Sequence, residues 1–528
     1  MTEHTLQQGY AKVHEGLLKG TVEDDLRVFR GIPYAAPPIG ERRWRAPAKP
    51  ARWFGVRSAD RLTGGALQAD GRANWPTEDF ELAAKMDSED CLYLNIWTPA
   101  KTGQEKLPVL VWIHGGGMVA GTGMAPFFEG EQLAKQGFLV VTINYRLGLM
   151  GFFCHPQLSS ETAQGTSGNY ALLDMREALL WLHENVSTFG GDPDKITVAG
   201  QSGGSVGTSC MLMSPLTTGL CRSVILESGC PLLGGMMDPK PLSEMESEGL
   251  AFAEKLGGKT LQELREMDGC DLIEASLAQH YTPNYCVDGY VLPDAPHKLL
   301  AEGKFNPMNI LVGSTSEEFG SFGFFHDVHV TPQQFEAYVH SLYPAALAEK
   351  MIQHYPHSEP VSAFRSVLNI LGDLMFLSPA RLGEVCAKQG ETCYVYYKTR
   401  PDSGSRGERL GSTHSSELPY VFGRPGKCII NPDGMSEADQ AFGKELMAYW
   451  VQFIKTGSMA GAATTIAWPQ CSGFLDYLDL GTQIHLPSEE EKDLLRRFDA
   501  MLRENGETVT DRYTDTTALG RNDLFRPM

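Results

Sequence analysis

Lys195-Ile196-Thr197-Val198-Ala199-Gly200-Gln201-Ser202-Gly203-Gly204 decides the reading of this chain. Ile196 to Ala199 reads as a short buried strand. Gly200-Gln201-Ser202-Gly203-Gly204 matches the pattern G-x-S-x-G, and Ser205 to Met213 reads as a helix that stops before Pro215. Strand, sharp turn and helix, in that order, are the setting in which this pattern presents a reactive serine. The reason is steric: the turn holds the serine in a strained backbone conformation with its Oγ pushed out at the carboxyl end of the sheet. Side chains at the flanking positions would strike the neighbouring strand and helix, so glycine is needed there. The helix behind Ser202 aims its first N–H groups, and the positive end of its dipole, at the place where negative charge would form. A glycine-rich strand-to-helix connection without chemistry fits the same five residues, so the flanks must decide.

Working outward, strands alternate with helices. Cys91–Trp97 reads as a strand. Leu107–Ile113 is another and runs into His114-Gly115-Gly116-Gly117. Phe138–Ile143 is a strand, and Ala171–Val186 is amphipathic with Leu172, Met175, Leu179 and Leu182 on one face. Further strands are expected at Ser223–Leu226, Ile310–Val312 and Cys393–Tyr397. Such alternation predicts a mainly parallel sheet with helices on both faces. Residues 10–60 read as short strands and turns, among them 11–13 and 26–29. Residues 61–88 form an acid-bearing loop, either a lid or a surface excursion. Two helix-rich intervals, about 230–300 and 320–390, interrupt the alternation. Insertions of this kind sit at the carboxyl edge of a sheet, where they can roof a site. Ser436 caps a helix whose Phe442, Leu446, Tyr449, Trp450 and Phe453 share a face, and Gly457 ends it. Ser488 and Glu491 form a capping box before Leu494, Leu495, Phe498 and Leu502. The stretch 507–528 is polar and reads as irregular. With no internal repeat or low-complexity linker, residues 1–528 are expected to form a single domain.

The totals narrow the function classes. The 528 residues are 42% hydrophobic and 21% charged, with a net charge of −20. That acidity disfavours nucleic acid and anionic membrane as partners. Residues 1–19 lack the apolar core of a signal peptide. Unbroken apolar runs such as 109–113 and 138–141 fall far short of the ~20 residues that span a bilayer. Eleven cysteines without C-x-x-C pairs suit reduced thiols, so a cytoplasmic location is expected. His326 with His329, and His354 with His357, lack the further ligands a metal needs, so no metal is expected.

Ser202 needs an oxyanion hole and a base. The His114-Gly115-Gly116-Gly117 run follows a strand about 85 residues ahead of Ser202, in the position of the second half of such a hole. The expected donors are the N–H groups of Gly116, Gly117 and Gly203. Each is worth roughly 3–4 kcal/mol of transition-state stabilisation. The base should be a late histidine, because the chain order for this kind of site is Ser, acid, His. His414 stands out in Gly411-Ser412-Thr413-His414-Ser415-Ser416-Glu417-Leu418-Pro419-Tyr420-Val421-Phe422-Gly423, and His485 is the only later candidate. The acid should follow the strand at 310–312. There Glu317 and Glu318 both qualify.

At this point the chain resembles the type B carboxylesterase/lipase family over nearly its whole length. Phe189-Gly190-Gly191-Asp192-Pro193-Asp194-Lys195 continuing through Gly204 is similar to the family's serine signature. Glu89-Asp90-Cys91-Leu92-Tyr93-Leu94-Asn95 is similar to its second signature. Further landmarks are Phe29-Arg30-Gly31-Ile32-Pro33-Tyr34-Ala35, Asn144-Tyr145-Arg146-Leu147-Gly148 and Gly168-Asn169-Tyr170-Ala171-Leu172-Leu173-Asp174. The resemblance implies an α/β-hydrolase fold, a central mostly parallel sheet flanked by helices with helical insertions roofing the active site. It also implies a Ser202-Glu318-His414 triad, with Glu317 a neighbour. Ser228 matches a family serine that hydrogen-bonds near the acid, and Arg43 and Glu89 match a family ion pair. Four positions depart from the pattern. Gly203 replaces the usual alanine, which keeps the N–H donor and is expected to loosen the turn. Met118 stands where Phe is frequent, and Phe319 replaces a glycine. The family's Cys91 disulfide has no earlier cysteine to form with.

The expectation is therefore a serine carboxylesterase acting on small-molecule esters through an acyl-enzyme, without cofactor or metal, without nucleic acid or membrane partner, and monomeric. The alternatives are a specialised cinnamoyl or feruloyl esterase, amide or carbamate cleavage by the same triad, and a non-catalytic adhesion-type homologue.

Overall fold

The strand expected at 196–199 is the inner part of a longer one at the centre of a large sheet. The structure, a computed structural model, describes residues 5–69, 88–232, 237–321, 329–426 and 433–507. In chain order the N-terminal strands are Tyr10–Val13 (β1), Gly16–Lys19 (β2), Thr21–Glu23 (β3), Leu26–Pro33 (β4) and Val56–Ser58 (β5). Then come Tyr93–Thr98 (β6), Leu107–Ile113 (β7), Leu139–Ile143 (β8), Gly191–Gln201 (β9) and Ser223–Glu227 (β10). Lys240–Pro241 (β11) and Cys286–Val287 (β12) pair with each other. Asn309–Thr315 (β13), Cys393–Lys398 (β14), Leu478–Leu480 (β15) and Ile484–His485 (β16) complete the set.

Eleven of these strands build one sheet in the order β16-β15-β14-β13-β10-β9-β7-β8-β6-β4-β3. The run from β15 to β8 is parallel. The N-terminal edge β6, β4 and β3 is antiparallel, as is the β15–β16 hairpin at the other end. β1, β2 and β5 form a separate small sheet.

Side chains along the central strands alternate between two cores. Val109, Val111 and Ile113 face one core, while Leu110 and Trp112 face the other. Ile310 and Val312 divide from Leu311 in the same way, and Val224 and Leu226 from Ile225. A strand buried on both sides reads as an unbroken apolar run, which is what the sequence shows at 109–113. One core is closed by the helix Glu437–Thr456 through Phe442, Leu446, Tyr449, Trp450 and Phe453, the face expected from its periodicity. The other is closed by the helices Tyr170–Asn185, Gly203–Met213 and Pro360–Gln389. The capping box of Ser488 with Glu491 forms, and the cap at Ser436 is likewise a box, with Asp439.

Several boundaries move. β9 begins at Gly191, where its pairing with β7 jumps from Leu107 opposite Gly191 to Val109 opposite Ile196. That irregularity absorbs Asp192-Pro193-Asp194-Lys195, a polar run that masks the strand in sequence. The interval 230–300 carries helices Leu242–Lys255, Leu261–Glu266, Gly269–Ala278 and Pro296–Ala301. The interval 320–390 carries Pro332–Leu342, Ala345–His354 and Pro360–Gln389. The last is long and apolar enough to cross a membrane by length and composition, and it is mostly buried against β13 and β14. Of the loop expected at 61–88, residues 70–87 lie outside the described residues, as do 508–528 and His326. All ten described cysteines are free thiols. Arg43 pairs with Glu89 through Nε at 2.7 Å, and also donates to the carbonyls of Leu264 and Met267. The family ion pair thus ties the N-terminal region to the first inserted interval.

Candidate active site

Because β9, β10, β13 and β14 are adjacent and parallel, their carboxyl ends meet at one edge. Ser202 follows β9, Ser228 follows β10, Glu318 follows β13, and the loop beyond β14 carries His414. A sheet of this kind places its site at that edge.

Ser202 has φ 56° and ψ −128°, a left-handed conformation that strains a residue with a side chain by about 1–3 kcal/mol. The surroundings enforce it. Ser202 donates its N–H to the Glu227 carbonyl at 2.9 Å and accepts from Val206 N–H at 3.0 Å. The turn closes because Gly200 and Gly204 lack side chains. A Cβ on Gly200 would lie 2.4 Å from the Gly204 carbonyl carbon, and one on Gly204 only 2.1 Å from the Ile113 oxygen. The helix starts at Gly203, two residues earlier than the sequence suggested, so its free N-terminal N–H groups sit beside Ser202.

Glu318 and His414 meet as a buried pair, Glu318 Oε2 accepting from His414 Nδ1. Glu318 also accepts from Thr315 N–H at 2.7 Å. Burial alone would push its carboxyl up. His414, the Ser228 hydroxyl and Thr315 outweigh burial and hold it below its ordinary value. The Ser228 hydroxyl, buried near the acid, makes no full hydrogen bond there. Burial likewise lowers the basicity of His414, but Glu318 and Glu417 more than reverse this and raise it. With Nδ1 committed to Glu318, Nε2 is an acceptor, and Gln201 donates to it at 3.0 Å. His485, the other late histidine, pairs with Glu491 at an exposed position and has no part in this cluster.

The glycine loop after β7 folds onto the elbow. Gly116 and Gly117 have φ 105° and 61°, and among the described residues no partner takes their N–H groups. Gly203 is where the two meet. A Cβ there would lie 2.8 Å from Gly117 N and 2.7 Å from Met118 N. Glycine at 203, expected to loosen the turn, leaves room for the glycine loop. It lets the loop seat against the helix N-terminus, bringing the Gly117 N–H to the elbow. His114 braces this loop from beneath, stacked on Tyr145 with ring centres 4.5 Å apart; burial lowers its pKa to about 4, so it stays neutral.

Glu317 is more than a neighbour of the acid. Its carboxylate accepts from Ser412 N–H at 2.8 Å and pairs with Arg365 at 3.2 Å. Its backbone N–H donates to Ser412 O at 2.9 Å. Glu417, three residues after His414, is buried with neither carboxyl oxygen hydrogen-bonded. Burial, then the nearby Glu227 and Glu318, raise it far above the usual carboxylate range. Sequence reasoning gave Gln201 and Glu417 no role, although both lie in the quoted stretches, because nothing local says which way either side chain turns. Phe319 is buried in the turn Glu318–Ser321. Among the described residues one group could offer a metal three ligands, His14, Glu15 and Glu184, but Lys49 already pairs with Glu184 and Arg52 meets His14.

The model of the carboxylesterase family matches residues 7–496. Fumonisin B1 esterase of Sphingopyxis macrogoltabida is 34% identical over 484 residues, covering 89% of this chain and 86% of that protein. Para-nitrobenzyl esterase of Bacillus subtilis (strain 168) is 32% identical over 496 residues, covering 89% and 93%. Among solved structures, a carboxylesterase of Geobacillus stearothermophilus superposes with a TM-score of 0.76 at 29% identity, covering 93% of this chain and 99% of its own.

Proposed function

The chain belongs to the carboxylesterase family and is a carboxylic-ester hydrolase, and from that premise we propose that Ser202, His414 and Glu318 carry the reaction. Ser202 Oγ attacks the ester carbonyl while His414 Nε2 takes its proton. Glu318 holds the imidazole in the tautomer with Nδ1–H and stabilises its charged form. Before attack, His414 Nε2 exchanges the hydrogen bond it accepts from the Gln201 amide for one from the Ser202 hydroxyl. The oxyanion rests on the N–H groups of Gly116, Gly117 and Gly203. His414 then protonates the leaving alcohol, and water repeats the sequence on the acyl-enzyme to release the acid. None of these steps calls on a metal or an organic cofactor.

The observation that carries this reading is the buried Glu318–His414 pair at the edge where strained Ser202 is presented. The substrate is a small-molecule ester, in keeping with the relatives named for ester cleavage. A cytoplasmic protein is our reading of its location, supported by the free thiols, and a monomer is our reading of its state. Hydrolysis of a p-nitrophenyl ester series, acetate through palmitate, tests the proposal with wild type and Ser202→Ala side by side. The variant should fold normally and lose on the order of 10⁶-fold in kcat. The chain-length profile of the wild type separates esterase from lipase behaviour. Near wild-type hydrolysis by Ser202→Ala would overturn the triad.

A further inference from the structure

Lys398 is the last residue of β14, and its side chain is wholly buried. Charged lysines rarely sit in such places unless every donor is used. Here all three are. Nζ donates to Ser412 Oγ at 2.8 Å, to Ser416 Oγ at 2.8 Å and to the Arg400 carbonyl at 2.9 Å. Asp402 Oδ1 lies 3.8 Å away and supplies the nearest countercharge. Ser412 and Ser416 stand two residues before and two residues after His414. One ammonium therefore grips the loop on both sides of the imidazole-bearing residue. The grip is anchored at the strand end next to β13, which delivers Glu318.

The same loop has further fixings on its near side. Asp402 accepts from Thr413 N–H at 3.3 Å and from the Thr413 hydroxyl, and Asp402 N–H donates to Gly411 O at 2.9 Å. Ser415, directly after His414, has φ 69°. The backbone thus turns sharply at the base, and the turn is closed by Ser416 N–H donating to Thr413 O at 3.1 Å. Backbone pairing pins this loop at one point, where Thr413 bridges to Glu317 just beyond β13. The side-chain bonds to Lys398 add a hold on both sides of His414.

We propose that Lys398 is the positioning residue for the catalytic base, setting the depth and orientation of His414 by holding Ser412 and Ser416. The proposal rests on the reading of His414 as the base. Misplacing a catalytic group by about 1 Å costs on the order of 100-fold in rate. Loss of the lysine head group should therefore act on kcat and leave substrate affinity alone.

Lys398→Met keeps most of the stem and removes the three donors. The folded variant should lose roughly 10- to 100-fold in kcat, with KM within about twofold. The titratable and charged groups facing Lys398 are Asp402, Glu417, Glu317 and Arg400, and those facing His414 are Glu318 and Glu417. Removing the cation leaves the carboxyl groups less compensated, which favours imidazolium. The acid limb of kcat/KM should accordingly move to higher pH in Lys398→Met. Lys398→Arg restores charge and donors at altered geometry and should recover part of the rate and return the limb toward its wild-type position. A purely structural lysine would lower the melting temperature without moving the limb. A folded Lys398→Met with kcat within twofold of wild type, or with KM alone raised, overturns the proposal. Should Lys398→Met fail to fold, the Ser412→Ala/Ser416→Ala double variant decides. A drop in kcat of about tenfold at constant KM supports the grip, and wild-type kcat overturns it. His414→Gln in the same assay separates the two readings. An inactive His414→Gln beside a normal Lys398→Met sinks only the role of the lysine, whereas an active His414→Gln sinks the base assignment.

Discussion

The proposed nucleophile and the proposed base are held by different means. Ser202 is fixed by backbone: a strand end, a left-handed residue, two glycines at van der Waals limit, and a helix start. His414 is fixed mainly by side chains: Glu318 on its ring, Glu317 and Asp402 on its flanking backbone, and Lys398 on its flanking serines, with the backbone bridge between Glu317 and Thr413 beside them. Backbone fixing leaves little freedom in which residues can stand there, so it prints a motif. Side-chain fixing draws partners from several distant segments, and no single stretch of sequence displays it.

The largest effect that sharpens this contrast is at Glu318. Glu318→Gln keeps the shape but loses the charge, and kcat should fall on the order of 10⁴-fold. Glu318 raises the basicity of His414. The base works only when neutral, so activity is lost as pH falls through the His414 pKa, and in Glu318→Gln that acid limb should move to lower pH. A variant within tenfold of wild type in a pH–rate profile would show that orientation of the base does not depend on the ring contact.

Next is Gly203→Ala. The added methyl meets Gly117 N, Met118 N and Gly117 Cα at 2.7–3.0 Å and must push the glycine loop away. We expect a loss of roughly 10- to 100-fold in kcat with little change in thermal stability, read by steady-state kinetics and a melting curve. An unaffected rate would break the backbone half of the comparison, since the loop would then yield freely. Glu317→Gln probes the other half. It unpairs Arg365 and weakens the bond to Ser412 N–H, and should cost about 1–3 kcal/mol in denaturant unfolding with less than tenfold in kcat. The smallest effect on activity is expected from Glu89→Gln. It breaks the ion pair with Arg43 far along the chain from the triad, lowering stability by about 1–3 kcal/mol at unchanged kcat.

Legibility follows the same division. The central strands, the elbow, the helix 437–456 and the caps at Ser436 and Ser488 were readable because apolar period, glycine placement and caps are local properties. Ser202 and the glycine loop were readable for that reason. His414 was found by chain order, but the choice between Glu317 and Glu318 needed the family resemblance, since adjacent residues on one turn differ only in where they point. The true start of β9 was hidden by a polar, irregular segment. The seat of Gly203 against Met118, the Gln201 contact with His414 and the buried carboxyl of Glu417, bare of hydrogen bonds, arise only once distant strands are side by side.

The strand order carries one more consequence. From β9 outward the sheet continues β10, β13, β14, β15, so on this side position in space follows position in the chain. During synthesis, each new strand can be laid on the edge left open by the one before, and domains fold from the N-terminal side as the chain emerges. Ser202 is in place after two-fifths of the protein has been made, Glu318 after three-fifths, and His414 after nearly four-fifths. A nascent or truncated chain therefore carries a serine hydroxyl with no base to activate it, and the protein becomes reactive only when its growing edge has almost closed.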